Sequence, residues 1–90
     1  MSVKINISPL LKHLTNGVKV TEANGSTVGQ CVEHLGEQFP EIKQALFDKT
    51  GKLRSYIDIY INNESAYPNE LAKPVKEGDE LSIALTIGGG

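Results

Sequence analysis

Leu81-Ser82-Ile83-Ala84-Leu85-Thr86-Ile87 runs directly into Gly88-Gly89-Gly90, and the two halves ask for opposite behaviour. Leu81, Ile83, Leu85 and Ile87 alternate with Ser82, Ala84 and Thr86, the period-2 signature of a half-buried strand. Each inward aliphatic side chain contributes ~1.5–3 kcal/mol when fully buried, so the strand is firmly anchored. The three glycines carry no Cβ and can follow almost any backbone path. A tail of this kind with a free α-carboxylate can thread a narrow enzyme cleft that a bulkier tail would block. Gly90, through its carboxylate, is therefore the candidate reactive residue, and Gly89 the slender neighbour that gives access. Residues 1–87 are expected to form the folded domain and 88–90 a flexible tail, with Gly88 as a spacer.

The chain of 90 residues has room for one modest core and not for two. Apolar residues make up 39% and charged residues 22%, the balance of an ordinary globular domain rather than a disordered one. The formal net charge is −2, Arg54 is the only arginine, and the lysines are scattered. Without clustered cations to neutralise phosphates, nucleic acid is not an expected partner. Cys31 is the only cysteine, which excludes an internal disulfide and a thiol-based zinc site. No stretch has the length of a membrane span, and the first residues alternate instead of forming the apolar run of a signal peptide. A cytoplasmic protein, with no membrane partner, is the expectation.

Working outward from the last strand, Val3, Ile5 and Ile7 alternate with Ser2, Lys4 and Asn6 and predict a first strand ended by Pro9. Val18 and Val20, alternating with Lys19 and Thr21, predict a second, paired with the first as a hairpin. Leu10, Leu11 and Leu14 in the intervening loop are expected to cap the edge of the core. Thr27 opens the clearest helix, with Thr27 and Gln30 in capping-box spacing. Val28, Cys31, Val32, Leu35 and Phe39 then recur on one helical face. Pro40 halts it, and residues 41–47 predict a shorter helical turn with Ile42, Leu46 and Phe47 inward. Ile57, Ile59 and Ile61 alternate with Tyr56, Asp58 and Tyr60 in a further strand. Asn62-Asn63-Glu64 reads as a turn, a short edge strand is expected near Ala66-Tyr67, and Lys76-Glu77-Gly78-Asp79 is another turn.

The order strand, strand, helix, strand, minor strand, strand predicts an α+β domain, a mixed sheet of four to five strands covered on one face by one main helix. One helix cannot cover both faces. Tyr56 and Tyr60, with Ser82, Ala84 and Thr86, are expected on the open face as a partner-docking surface that continues into Gly88. Cys31 lies on the apolar helix face and reads as a small core residue. His13 and His34 are too isolated for a metal site or a triad. Asp79 and Glu80 could form an acid–base pair, but a turn aspartate before a strand ordinarily serves local hydrogen bonding.

This order, with Glu77-Gly78-Asp79-Glu80 before the last strand and the terminal Gly89-Gly90, resembles the ubiquitin-like β-grasp sulfur carriers of the MoaD/ThiS family. The resemblance covers nearly the whole chain. Gly51-Lys52-Leu53, leading to Ile59-Tyr60-Ile61-Asn62-Asn63-Glu64, is similar to the CysO-type branch, which delivers sulfur for cysteine or related amino-acid synthesis. Leu85-Thr86 stands where small subunits of molybdopterin synthase usually carry Pro-Pro, and Gly88 where a Ser, Thr or Ala is common.

The resemblance implies a carrier rather than an enzyme, with no cofactor of its own. An E1-like adenylating partner of the MoeB/ThiF type would use ATP to adenylate the Gly90 carboxylate, and a sulfur source would convert it to a thiocarboxylate. The acceptor would be a PLP-dependent synthase, with a metalloprotease as a further partner, or the large subunit of molybdopterin synthase. A ubiquitin-like modifier, joining Gly90 to protein lysines, is the alternative that keeps the activation chemistry.

Overall fold

The computed structural model describes residues 2–85. Strand β1 (Ser2–Ile7) buries Val3, Ile5 and Ile7 and turns Lys4 and Asn6 outward. It pairs antiparallel with β2 (Val20–Asn24) after a loop containing a 3-10 turn over Lys12–Leu14. Leu11 is buried and Leu14 packs against the core, whereas Leu10 stays exposed. Thr15 is fully buried there, its hydroxyl donating to the Val18 carbonyl at 2.8 Å, which removes the cost of a polar group in the core.

The second strand differs from its expected form. It begins at Val20, and its inward residues are Thr21 and Ala23, not Val18 and Val20. Pairing decides this: Val3 opposes Ala23 and Ile5 opposes Thr21, so the face of β1 dictates the face of β2 and leaves Val20 exposed.

Helix α1 (Val28–Gln38) starts at Thr27, whose Oγ1 accepts from the Gln30 N–H at 3.1 Å. The reciprocal half of the capping box is displaced by one residue. Gln30 Oε1 accepts from the Ser26 N–H at 2.8 Å, while the backbone on either side of Thr27 pairs with the segment around Pro74. Val28, Cys31, Val32 and Leu35 are buried, and Phe39 closes the helix half-buried. The helix α2 (Pro40–Leu46) takes Pro40 at its first position and buries Ile42 and Leu46.

Strand β3 (Ile57–Ile61) buries Ile57 and Ile59. Asn62 and Asn63, with φ of 50° and 72°, form a two-residue hairpin turn into β4 (Glu64–Ser65). This minor strand comes earlier than Ala66-Tyr67 because the turn is that tight; Ala66 is buried and Tyr67 is exposed. A 3-10 turn over Glu70–Ala72 and a turn with Gly78 at φ +88° precede β5 (Glu80–Leu85).

The five-stranded sheet has the order β2-β1-β5-β3-β4. β5 lies between β1, to which it is parallel, and β3, to which it is antiparallel. Both helices contribute to a core with the inward residues of the sheet, including Ile5, Ile59, Leu81 and Ile83. The domain is the expected α+β fold, a mixed sheet with its apolar face under α1 and α2.

Candidate functional site

The site is built around the end of β5. Leu81 and Ile83 are buried to within 2% of full burial, and both edges of the strand are hydrogen-bonded to neighbours. A central strand held on both edges by backbone ladders cannot slide without breaking two registers at once. The last described pair is Leu85 opposite Ile57, and the described residues end there. Gly88, Gly89 and Gly90, the candidate reactive tail, lie outside the described residues, as do Thr86 and Ile87.

Two segments flank that end. Because β1 is parallel to β5, the loop after β1 lies on one side: the Ser8 N–H donates to the Ile83 carbonyl at 3.1 Å, and Leu10 follows with 53% exposure. Because β3 is antiparallel, its beginning lies on the other side. The Ile57 N–H donates to the Arg54 carbonyl at 3.0 Å, closing a turn that holds Tyr56 outside the strand with 43% exposure. Leu10 was expected to cap the core. Its place after Pro9 at the end of β1 puts it beside the exit instead.

On the sheet face away from the helices, one register row runs Val20, Asn6, Ser82, Tyr60, Ser65. Ala84 and its partner Asp58 lie on the same face nearer the exit. Tyr60, Ser82 and Ala84 are thus brought together as expected, half-buried and on the accessible face. Asn6 ties the row together, its side-chain amide donating to Glu80 and, at 3.3 Å, to Ser82 Oγ. Small residues on β5 flanked by Tyr60 make a flat surface with a polar stitch.

Asp79 belongs to the frame, not to chemistry. Its carboxylate is buried, accepting from the Lys76 N–H at 2.9 Å and from Asn62 Nδ2 at 3.1 Å. Those two donors, the backbone one first, hold its pKa below the ordinary carboxylate value. Asn62 in turn accepts from the Glu80 N–H at 3.0 Å. Cys31 is buried and its thiol is pushed up by desolvation, which makes it an unreactive core residue. His34 Nδ1 accepts from the Asn24 N–H at 2.9 Å and so ties α1 to the end of β2. Among the described residues no group of three or more His, Cys, Asp and Glu side chains could hold a metal ion. No helix among them is long and apolar enough to cross a membrane.

A model of the ThiS family matches residues 8–90. The sulfur carrier protein CysO of Mycobacterium tuberculosis (strain H37Rv) is 31% identical over 93 residues, covering 100% of both chains. A chain of the Amycolatopsis orientalis BexX/CysO complex superposes with a TM-score of 0.85 at 34% identity, covering 98% of this chain and 99% of that one. SAMP1 from Haloferax volcanii shares the fold, with a TM-score of 0.87 at 24% identity over 100% of each chain.

Proposed function

The chain belongs to the ThiS family, and from that premise we propose that it is a sulfur carrier whose Gly90 carboxylate is activated by an E1-like partner and converted to a thiocarboxylate. It is a full-length homologue of the CysO sulfur carriers. The observation that carries the proposal is the continuity of a doubly laddered central strand, β5, with a sequence ending in three glycines. A carrier needs a rigid handle and a slender reactive end, and tethering the end to the handle raises its effective concentration in a partner's cleft.

In the proposed sequence an oxygen of the Gly90 carboxylate attacks the α-phosphorus of ATP on the partner, and pyrophosphate leaves. The resulting acyl adenylate is electrophilic because AMP is a good leaving group. Hydrosulfide adds to the acyl carbon, AMP departs, and the thiocarboxylate remains. An acceptor enzyme takes the sulfur, and hydrolysis restores the carboxylate. The carrier binds no cofactor in this scheme; ATP belongs to the partner.

Tyr60, Ser82 and Ala84, with Tyr56 at the exit, are proposed to dock the activating partner. That a CysO occurs in complex with BexX supports a carrier that works by docking. Cysteine or a related amino acid as the product, with a PLP-dependent synthase as acceptor, is what the CysO-type resemblance of Gly51-Lys52-Leu53 and Ile59 to Glu64 implies, and we propose both for this chain. Cytoplasmic action fits a chemistry that draws on ATP.

Intact-mass spectrometry tests the proposal after incubation with the cognate activating enzyme, ATP and sulfide. The expected product is heavier by the difference between one sulfur and one oxygen. An unchanged mass, with a partner that demonstrably hydrolyses ATP to AMP, overturns it. A ladder of lysine conjugates without thiocarboxylate assigns the chain to the modifier reading instead.

A further inference from the structure

A second feature lies on the helix side, where the carrier reading has no use for it. Helix α1, helix α2 and the loop from Asp48 to Arg54 border an open groove of about 1030 Å³. Phe47 and Leu71, both half-buried, supply apolar lining. Leu71 packs close to the helix because residue 29 is glycine; a Cβ there would meet the Leu71 carbonyl oxygen at 2.9 Å.

The charged lining is Lys43, Lys49 and Arg54 against Glu33 and Asp48, a cationic excess in a chain of net charge −2. One of the two carboxylates is drawn into its own loop, held ionised by the Thr50 hydroxyl and in smaller part by the Arg54 charge. Asp48 Oδ1 accepts from the Thr50 N–H at 2.8 Å, from Thr50 Oγ1 at 2.6 Å and from the Lys52 N–H at 3.1 Å. Arg54 is fixed at the rim by its Nε, which donates to the Gln44 carbonyl at 3.2 Å.

We propose that this groove docks an acidic, extended peptide segment of a partner protein. An apolar side chain sits against Phe47 and Leu71, and flanking carboxylates lie beside Lys43, Lys49 and Arg54. Charge complementarity selects the occupant. A nucleic acid is disfavoured, because its backbone calls for a continuous track of cations and Glu33 interrupts this one. The groove is on the opposite side of the sheet from Tyr60, Ser82 and Ala84. A partner held here leaves the outward face of Tyr60, Ser82 and Ala84 uncovered, so a second protein can grip the domain there, while Arg54 carries the groove up to the turn that flanks the end of β5. Nothing in this inference depends on the chemistry of the tail.

The experiment is an amide chemical-shift titration of the intact protein with an acetylated hexapeptide of alternating aspartate and leucine. Its controls are the lysine–leucine counterpart and an oligothymidylate. The expected shifts centre on Gly29, Lys43, Phe47 and Arg54, with the acidic peptide alone. Lys49→Glu, an exposed position, should weaken binding about tenfold with unchanged thermal unfolding, and Lys43→Glu should act in the same direction. Silence at these amides overturns the proposal. So do equal shifts with either control, or shifts that grow with protein concentration alone and thereby assign the groove to a second copy of the chain.

Discussion

Asn62 and Asp79 clasp two turns together at the end of the sheet remote from the exit of β5, with Asn62 Nδ2 donating to Asp79 Oδ1 at 3.1 Å. The same aspartate accepts the Lys76 N–H, and Asn62 Oδ1 accepts the Glu80 N–H. The start of β5 is thus fixed to the turn after β3, just beyond the Ile61–Leu81 pair that closes their shared ladder.

The clasp gives a pH signature. Asp79 is held below its ordinary value, so the unfolded chain binds its proton more readily than the folded one. Stability from this group is complete above the unfolded carboxylate pKa of about 3.9 and is lost as pH falls through the lower folded value. Asp79→Asn should lower the urea midpoint at pH 7. The gap between wild type and variant should narrow as the titration continues below pH ~4. Urea unfolding across that range checks it, and a gap independent of pH would assign the effect to shape rather than charge.

The anchorage of β5 predicts a graded response along one strand. Ile83 is buried at 2% exposure and packs in the centre of the core, so Ile83→Ala should cost ~2–5 kcal/mol. Leu85, half-buried at the exit, should cost clearly less on the same change. Chemical denaturation of the two variants decides between this gradient and a uniform cost, which would mean that Leu85 is as deeply held as Ile83.

How much of this was legible beforehand depended on whether a residue's environment is set by its neighbours in sequence or by its partners in space. β1, α1, β3 and β5 were readable because their periodicity is strong and their own residues make the core. Val20 misled because its face is imposed by Asn6 across the hairpin. The minor strand was misplaced because two asparagines with positive φ make a tighter turn than their chemistry alone announces. On the candidate site, the shared face of Tyr60, Ser82 and Ala84 followed from alternation. Leu10 at the exit, the Asn62–Asp79 clasp and the helix-side groove all join segments distant in sequence. Pairing rules could have found only Leu10, from the end of β1 next to a parallel β5.

Ala84 and Tyr56 test the docking surface separately from the fold. Ala84→Arg places a long cation on the outward face beside Tyr60, and Tyr56→Ala removes an exposed ring at the exit. Both should leave thermal unfolding close to wild type, since neither position faces the core. With the activating enzyme, each should raise KM by about tenfold or more while kcat holds, because docking and not the acyl-transfer step is impaired. A fall in kcat at unchanged KM would move these residues from docking to positioning the tail.

The tail itself gives the sharpest separation of stability from function. Gly90→Val adds a β-branched side chain next to the carboxylate that the activating enzyme must enclose, and Gly89→Val narrows the same path one residue earlier. The buried core is assembled from residues between Val3 and Ile83, so the unfolding free energy should stay within about 0.5 kcal/mol of wild type. Adenylate formation, followed by pyrophosphate release, should fall below detection for both. A Gly88→Ala variant should retain most of the activity, because a spacer needs reach more than slenderness. Normal pyrophosphate release from Gly90→Val would refute the narrow-cleft argument. Loss of activity accompanied by a lowered midpoint would show instead that the glycines serve the fold.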